Sequence, residues 1–118
     1  MNDDITHRAL LSINRTMPQA GVRVVACRGE IDDDTASLLR EALRVDDGGS
    51  RFIADLGAVT FLDSSGIHVL FAAHRDTMAA GGWLRIAAMT PTIQEVVQIV
   101  ELPTLIPCYP TLTQALNG

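Results

Sequence analysis

The chain has 118 residues, and its 9 basic side chains are outnumbered by 14 acidic ones, for a formal net charge of −5. All nine basic residues are arginine, so a Walker phosphate loop and a lysine Schiff-base enzyme are both excluded. A sequence pI near 4.9 disfavours direct nucleic-acid binding and a polybasic membrane surface, because both need clustered cations.

Apolar residues make up 47 % of the chain, enough for the core of one small domain. We expect a single domain over residues 1–118, with a short flexible N-terminus over about residues 1–7. The longest apolar run, 69–73, is far below the roughly 20 residues that cross a bilayer, and the acidic N-terminus is unlike a signal peptide. A cytoplasmic protein without a membrane partner is predicted. Cys27 and Cys108 match no metal-ligand spacing and are expected to be free, packed thiols.

The first third of the chain predicts a β-hairpin followed by a helix. Residues 9–16 alternate between apolar and polar side chains, as a strand with one solvated face does. A turn at 18–21 joins it to a more apolar strand at 22–28, and so short a connection makes the pair antiparallel. Asp33 is the predicted N-cap of a helix over about 34–45.

Strands and helices alternate from there on. A glycine-rich loop at 46–50 leads to a third strand at 52–56, which we expect to be buried on both faces because its apolar residues do not alternate. A helix then begins at Ser64 and ends at the glycine pair 81–82. Its predicted buried face comprises Ile67, Leu70, Phe71, His74 and Met78.

The last third of the chain predicts a fourth strand at 83–88 and then a helix, with Thr90 as its N-cap and Pro91 at its first position. A short strand at 106–109 and a last helix that ends at 116 follow. The inner face of the third helix is predicted to be Ile93, Val96, Val97 and Val100. The order β-β-α-β-α-β-α-β-α indicates an α/β domain, with a mixed sheet of about five strands and about four helices.

Two hydroxyls and a carboxylate stand between the third strand and the second helix, in Asp63-Ser64-Ser65-Gly66. They fall at a helix N-terminus, where the first N–H groups lack intrahelical partners and the macrodipole is positive. Such a cluster can serve only as an N-cap, or it can also carry a modification or bind a partner. The residues alone leave both interpretations open.

Residues 61–67, F-L-D-S-S-G-I, resemble the D-S-[ST]-G-[LIV] signature of STAS domains, in particular of the anti-sigma factor antagonists. Further stretches resemble that family in the same order. Residues 28–32, followed by Thr35-Ala36, are similar to its G-E-[LI]-D segment, 52–56 to its L-D-L third strand, and 109–116 to its closing Y-P-[ST]-L-x-x-A-L. The resemblance therefore extends over nearly the whole chain.

This resemblance implies a regulatory protein that is not an enzyme and needs no cofactor or metal. In the family, the serine after the aspartate, here Ser64, is phosphorylated by an anti-sigma factor that is also a GHKL-type serine kinase. The unphosphorylated protein binds that anti-sigma factor and frees a sigma factor for transcription, and a PP2C-type phosphatase removes the phosphate. The helix N-terminus is expected to stabilise this phosphate. The residues expected to bind the partner are Asp63, Ser65, Gly66, Ile67, His68, Asp32 and Glu30.

Two histidines and the arginines need separate interpretations. His68 stands where many antagonists carry glycine or arginine, and it is expected either to face solvent or to tune the interface near neutral pH. His74 falls on the apolar stripe and is predicted to be packed and hydrogen-bonded. Because lysine is absent, basic partner contacts would come from arginines such as Arg28 or Arg75.

Other functions fit less well. A serine hydrolase is disfavoured because no G-x-S-x-G motif surrounds Ser64 and no oriented base is apparent. The acidic run 32–34 is attributed to capping and solvation, since three consecutive carboxylates point in different directions and suit one metal ion poorly. The remaining alternative is a STAS subunit of another assembly, such as an ABC-type lipid transporter or a signalling scaffold, without a phosphoserine switch.

Overall fold

A computed structural model describes residues 10–118, so the segment expected to be flexible at about 1–7 lies outside the described residues. The succession β-β-α-β-α-β-α-β-α is confirmed. In chain order the elements are β1 (Leu11–Gln19), β2 (Val22–Ile31), α1 (Ala36–Ala42), β3 (Arg51–Leu62), α2 (Ser64–Ala79), β4 (Trp83–Ala87), α3 (Pro91–Ile99), a 3₁₀ turn (Leu102–Thr104), β5 (Cys108–Tyr109) and α4 (Leu112–Asn117).

The five strands form one mixed sheet in the order β1-β2-β3-β4-β5. β1 and β2 pair antiparallel, as the short connection between them predicts, and every later pair is parallel. Parallel neighbours need a crossover, and α1, α2 and α3 supply one for each pair from β2 to β5. The predicted α/β fold with an initial hairpin is thus confirmed.

The core lies on both faces of this sheet. Leu39 of α1, Leu70 of α2 and Val97 of α3 pack in one cluster with Phe52 of β3. The neighbouring Ile53 belongs to a second, smaller cluster, which α4 completes. Because successive strand residues point to opposite faces, α1, α2 and α3 cover one face and α4 covers part of the other. In the part of the chain that the structure describes, no helix has both the length and the apolar character needed to cross a membrane.

Several predicted strand boundaries were wrong. β1 continues through Pro18 to Gln19, because the pairing register shifts between Thr16 and Gln19 and this edge strand accommodates a residue without an N–H. β3 continues to Leu62, well beyond the predicted residue 56, because its second half pairs with the end of β2. β4 ends at residue 87, since Ala88 takes a left-handed φ of +66°.

The first helix starts later than predicted, and its cap differs. Helix α1 covers Ala36–Ala42, and Asp33 does not cap it. Instead, a carboxylate oxygen of Asp32 accepts hydrogen bonds from the N–H groups of Asp34 (2.9 Å) and Thr35 (3.1 Å). The Thr35 hydroxyl donates to the carbonyl of Glu30 at 2.8 Å. The acidic run therefore forms a turn around Asp32 before the helix begins.

The buried faces of α2 and α3 differ partly from those that the hydrophobic periodicity predicts. In α2, Ile67 and Leu70 are buried as predicted, but Met78 is 56 % exposed and Thr77 takes its place in the core. The α3 start is confirmed, with the Thr90 hydroxyl accepting from the N–H of Ile93 at 3.4 Å. Val100 is 42 % exposed because α3 ends one residue earlier.

His74 is half-buried, but the hydrogen bond predicted for it is wrong at one ring nitrogen. Its buried Nδ1 has no partner among residues 10–118. The nearby hydroxyl of Thr77 donates instead to the backbone carbonyl of His74, at 3.0 Å.

Both cysteines are free, as predicted. Burial, with a smaller contribution from the Asp55 carboxylate, raises the pKa of Cys27 to about 12. Burial also raises the pKa of Cys108 to about 11. Both thiols are therefore protonated at neutral pH, and protonated thiols are poor nucleophiles.

Glu101 offers a test of the backbone geometry after α3. Its φ of +58° is left-handed, and it places an exposed carboxylate near the negative end of the helix. We expect Glu101→Gly to raise the free energy of unfolding by about 0.5–1 kcal/mol in urea denaturation, since glycine adopts this conformation without a Cβ clash. Glu101→Gln removes only the charge and should gain less. Equal stability of the two variants would contradict the strain argument.

Candidate functional site

Asp63 organises the junction between β3 and α2. It is the extended N-cap of α2, and its carboxylate oxygen accepts from the N–H groups of Ser65 (2.9 Å) and Gly66 (3.4 Å). The N–H of Ile67 donates to the Asp63 carbonyl at 3.0 Å. The predicted N-cap cluster is therefore present, and its anchor is the aspartate. These bonds use the N–H groups that an added anion would otherwise find.

The two serines after Asp63 have different surroundings. Ser64 is the first residue of α2 and is exposed to solvent. Ser65 is half-buried, and its hydroxyl donates to a carboxylate oxygen of Asp33 at 3.3 Å. Of the two hydroxyls, that of Ser64 is therefore the more accessible to a second protein.

The β2–α1 turn lies directly beside this helix start. The ends of β2 and β3 pair at Ile31 and Leu62, and the N–H of Asp63 donates to the carbonyl of Ile31 at 3.2 Å. The contact between Ser65 and Asp33 continues the junction. The structure thus brings together the two predicted partner-binding segments, one around residues 30–32 and the other around 63–68.

Gly66 and Ile67, predicted among the partner-binding residues, lie beneath the surface of this junction. Both are buried, so their side-chain positions face the protein interior and not a partner. A Cβ at Gly66 would lie 2.5 Å from Leu62 Cδ1 and 2.6 Å from Ile31 Cγ2. The close approach that glycine permits here is therefore made by the protein's own β2 and β3.

What we call the Ser64 surface consists of four exposed residues and the half-buried Ser65: Phe61, Asp33, Ser64, Ser65 and His68. The sequence prediction missed Phe61, which is 47 % exposed, and Asp33 as the partner of Ser65. Alternation along β3 was the available signal for Phe61, because its neighbour Leu62 is buried and adjacent strand residues face opposite ways. His68 is exposed, as both of its interpretations require.

A polar pocket of about 310 Å³ lies between α1 and α2, next to this surface. We call it the α1–α2 pocket, and its lining residues are Asp33, Ala36, Ser37, Arg40, Ser65 and His68. Arg40 was not singled out from the sequence, because only the packing of α1 beside α2 brings it near Ser65. Within residues 10–118, no three His, Cys, Asp or Glu side chains gather as metal ligands would.

Carboxylates dominate the two segments that meet here. Residues 28–40 and 61–68 contain five acidic side chains against two arginines. Glu30, Asp32 and Asp63 are half-buried, whereas Asp33 and Asp34 are exposed. A protein that docks here would complement this surface if it carried basic side chains around an apolar contact with Phe61.

Comparison with known proteins shows which family has this fold. Residues 15–115 match the family model of the STAS domain. An anti-sigma factor antagonist from Mycobacterium paratuberculosis is 31 % identical, with a TM-score of 0.78 over 91 % of this chain and 92 % of that one. This chain belongs to the STAS-domain family of anti-sigma factor antagonists. The family predicted from the four sequence motifs is thus confirmed.

Two more distant structures share the fold. The Bacillus cell fate determinant SpoIIAA in its phosphorylated form is 20 % identical, with a TM-score of 0.70 over 90 % of this STAS chain and 97 % of that one. A sulfate transporter family protein from Wolinella succinogenes is 16 % identical, with a TM-score of 0.75 over 86 % of this chain and 87 % of that one. At these identities the likeness concerns the fold alone.

The packing at Gly66 predicts a stability effect. Although alanine is the better helix former, its Cβ would overlap Leu62 and Ile31, so we expect Gly66→Ala to lower the free energy of unfolding by about 1–2 kcal/mol. Chemical denaturation measures it. His68→Ala on the same turn is the control, and it should change stability by no more than about 0.5 kcal/mol because His68 is exposed. A Gly66→Ala variant as stable as the wild type would show that β2 and β3 do not confine this position.

Proposed function

We propose that this protein is a non-enzymatic anti-sigma factor antagonist controlled by phosphorylation of Ser64. The unphosphorylated form binds an anti-sigma factor with GHKL-type serine kinase activity, and a sigma factor is released for transcription in the cytoplasm. Phosphorylation of Ser64 ends the binding, and a PP2C-type phosphatase reverses it. The observation that carries this proposal is the exposed hydroxyl of Ser64 at the first position of α2, within the D-S-S-G segment of a STAS domain.

Accessibility favours Ser64 over its neighbour as the phosphoacceptor. A kinase must reach the hydroxyl and align it with the transferred phosphoryl group. The hydroxyl of Ser64 is on an exposed residue, whereas that of Ser65 is half-buried and bonded to Asp33. The protein's own contribution to the reaction is a substrate serine, so no catalytic group is assigned to this chain.

The charge of a phosphate accounts for the loss of binding. Phosphorylation adds about −1.5 to −2 charges at pH 7. On the Ser64 surface, that charge would be introduced among the carboxylates of Asp33 and Asp63 and desolvated whenever a partner covers Phe61. Repulsion and desolvation both oppose the complex, and each is strongest inside a close interface.

The same phosphate is compatible with the folded domain. Asp63 keeps the N-cap, since its carboxylate already accepts from Ser65 and Gly66. Ser64 is exposed, so a larger group there displaces no core side chain. The switch therefore alters a surface and leaves the fold intact.

The proposed partner contacts are side chains around Ser64 that are exposed or half-buried. We propose that Phe61 is the apolar anchor, and that Asp63, Ser65, His68, Asp32 and Glu30 surround it as polar contacts. Gly66 and Ile67 act from beneath, by holding α2 against β2 and β3. Buried aromatic anchors carry much of the binding energy in many interfaces, and the polar rim adds selectivity.

Labelling identifies the phosphoacceptor. Incubation with the anti-sigma factor kinase and ATP should place phosphate on Ser64 alone, which peptide mass spectrometry would locate. Ser64→Ala should abolish the labelling, whereas Ser65→Ala should retain it because the Ser64 hydroxyl stays exposed. Labelling that persists in Ser64→Ala, or phosphate found on another residue, would overturn the assignment.

Binding measurements test the charge mechanism. By calorimetry, Ser64→Ala should bind the anti-sigma factor like the wild type, and Ser64→Asp should bind at least tenfold more weakly, or by about 1.4 kcal/mol. The matched control is Thr113→Asp, which adds the same charge to the first turn of α4 on the opposite face of the sheet and should bind normally. Equal affinities of the two Ser64 variants would reject the mechanism. Capture of a transporter subunit by both variants alike would instead favour a STAS subunit of another assembly.

A further inference from the structure

The α1–α2 pocket contains a guanidinium, that of Arg40, which the proposed binding switch does not use. Its two walls come from different helices, with Arg40 on α1 and His68 on α2. Ser37 and Ser65 add hydroxyls, and Asp33 is the one carboxylate in the lining. A cavity that joins a guanidinium, an imidazole and two hydroxyls has the donors that a phosphate monoester requires.

A phosphate on Ser64 would find two of the donors usually offered by a helix N-terminus already engaged. Two N–H groups of the first turn donate to Asp63, at 2.9 and 3.4 Å. The carboxylates of Asp63 and Asp33 both bond to the adjacent Ser65 and would repel the dianion. Compensating charge must therefore come from side chains outside this turn.

Helix geometry places His68 toward that phosphate. Residues four apart on a helix lie on one face with Cβ atoms about 5–6 Å apart, and helical side chains lean toward the N-terminus. The imidazole of His68 therefore lies over the turn that begins with Ser64. It also lines the α1–α2 pocket, so the pocket and the phosphoacceptor share this side chain.

Arg40 supplies the permanent charge on the opposite wall. The next arginine along the chain, Arg44, pairs with Glu41 at 3.3 Å, but within residues 10–118 no carboxylate forms an ion pair with Arg40. A guanidinium is charged at all physiological pH values, and its planar fork matches two phosphate oxygens. Arg40 is thus available to an anion that arrives from α2.

We propose that the α1–α2 pocket receives the phosphate carried by Ser64, with Arg40 as its cationic ligand and His68 and Ser37 as further hydrogen-bond donors. This inference rests on the proposed phosphorylation of Ser64. The attraction of Arg40 opposes the repulsion of Asp33 and Asp63, and the phosphate then bridges α1 and α2. The phosphorylated state is accordingly a defined arrangement of the surface as well as a more negative one.

The experiment titrates the phosphate itself. Phosphoserine is incorporated at position 64 during synthesis of the full chain, and ³¹P NMR follows its second ionisation with pH. A nearby cation favours the dianion, so we expect Arg40→Gln to raise the second pKa of the phosphate by about 0.5 unit, and His68→Gln to raise it by less. Arg40→Lys keeps the charge and should retain most of the wild-type value, whereas Arg44→Gln should leave it unchanged.

The controls separate the pocket from the charge of the whole protein. If Arg40→Gln and Arg44→Gln gave the same phosphate pKa, the pocket would not hold the phosphate and the inference would be wrong. Because the phosphoserine is installed without a kinase, failed labelling of Ser64 would overturn the proposed function and leave this titration interpretable. Labelling of Ser64 with a titration insensitive to Arg40 would overturn only the pocket.

Discussion

The parallel pairing of β2 with β3 determines where every proposed functional group lies. The register carries both strands to the same edge of the sheet, where Ile31 and Leu62 end side by side and the N–H of Asp63 donates to the Ile31 carbonyl at 3.2 Å. The turn around Asp32 and the start of α2 leave the sheet from these adjacent points. Gly66 lets α2 pack closely against both strand ends, since the Cβ of any larger residue would overlap the side chains of Ile31 and Leu62. Without this register the acidic turn and the serines would be separate surface features.

Asp63 serves both stability and binding, and the two uses explain the chemistry of the site. As an N-cap its carboxylate satisfies two first-turn N–H groups, those of Ser65 and Gly66, which commonly contributes about 1 kcal/mol. By doing so it occupies two backbone donors that an added phosphate on Ser64 would otherwise reach. In the proposed phosphorylated state, further donors come from side chains of a second helix, and α1 lines the pocket beside Ser65. The capping that secures the fold also determines which residues can respond to phosphorylation.

Local signals in the sequence predicted the architecture well and predicted some details poorly. Thr90-Pro91 marked the start of α3 correctly, because a hydroxyl cap and a proline at the first position act within one turn. Asp33 looked equally suitable as a cap, yet the carboxylate of the preceding Asp32 accepts the hydrogen bonds of the Asp34 and Thr35 N–H groups. Periodicity put Met78 in the core, but α2 packs through a rotated face that contains Thr77. Competition between neighbouring residues and the rotation of a helix against a sheet depend on distant contacts, so a local pattern does not contain them.

The amino-acid sequence by itself determined the order of strands and helices, the family, and the D-S-S-G segment as the region of interest. Those properties follow from hydrophobic periodicity, turn residues and short motifs, which are local in the chain. Tertiary structure decided which serine is exposed, that Gly66 and Ile67 lie beneath the surface, and that Arg40 shares a pocket with Ser65. Each of these depends on residues separated by tens of positions that meet only when β2 pairs with β3 and α1 packs beside α2.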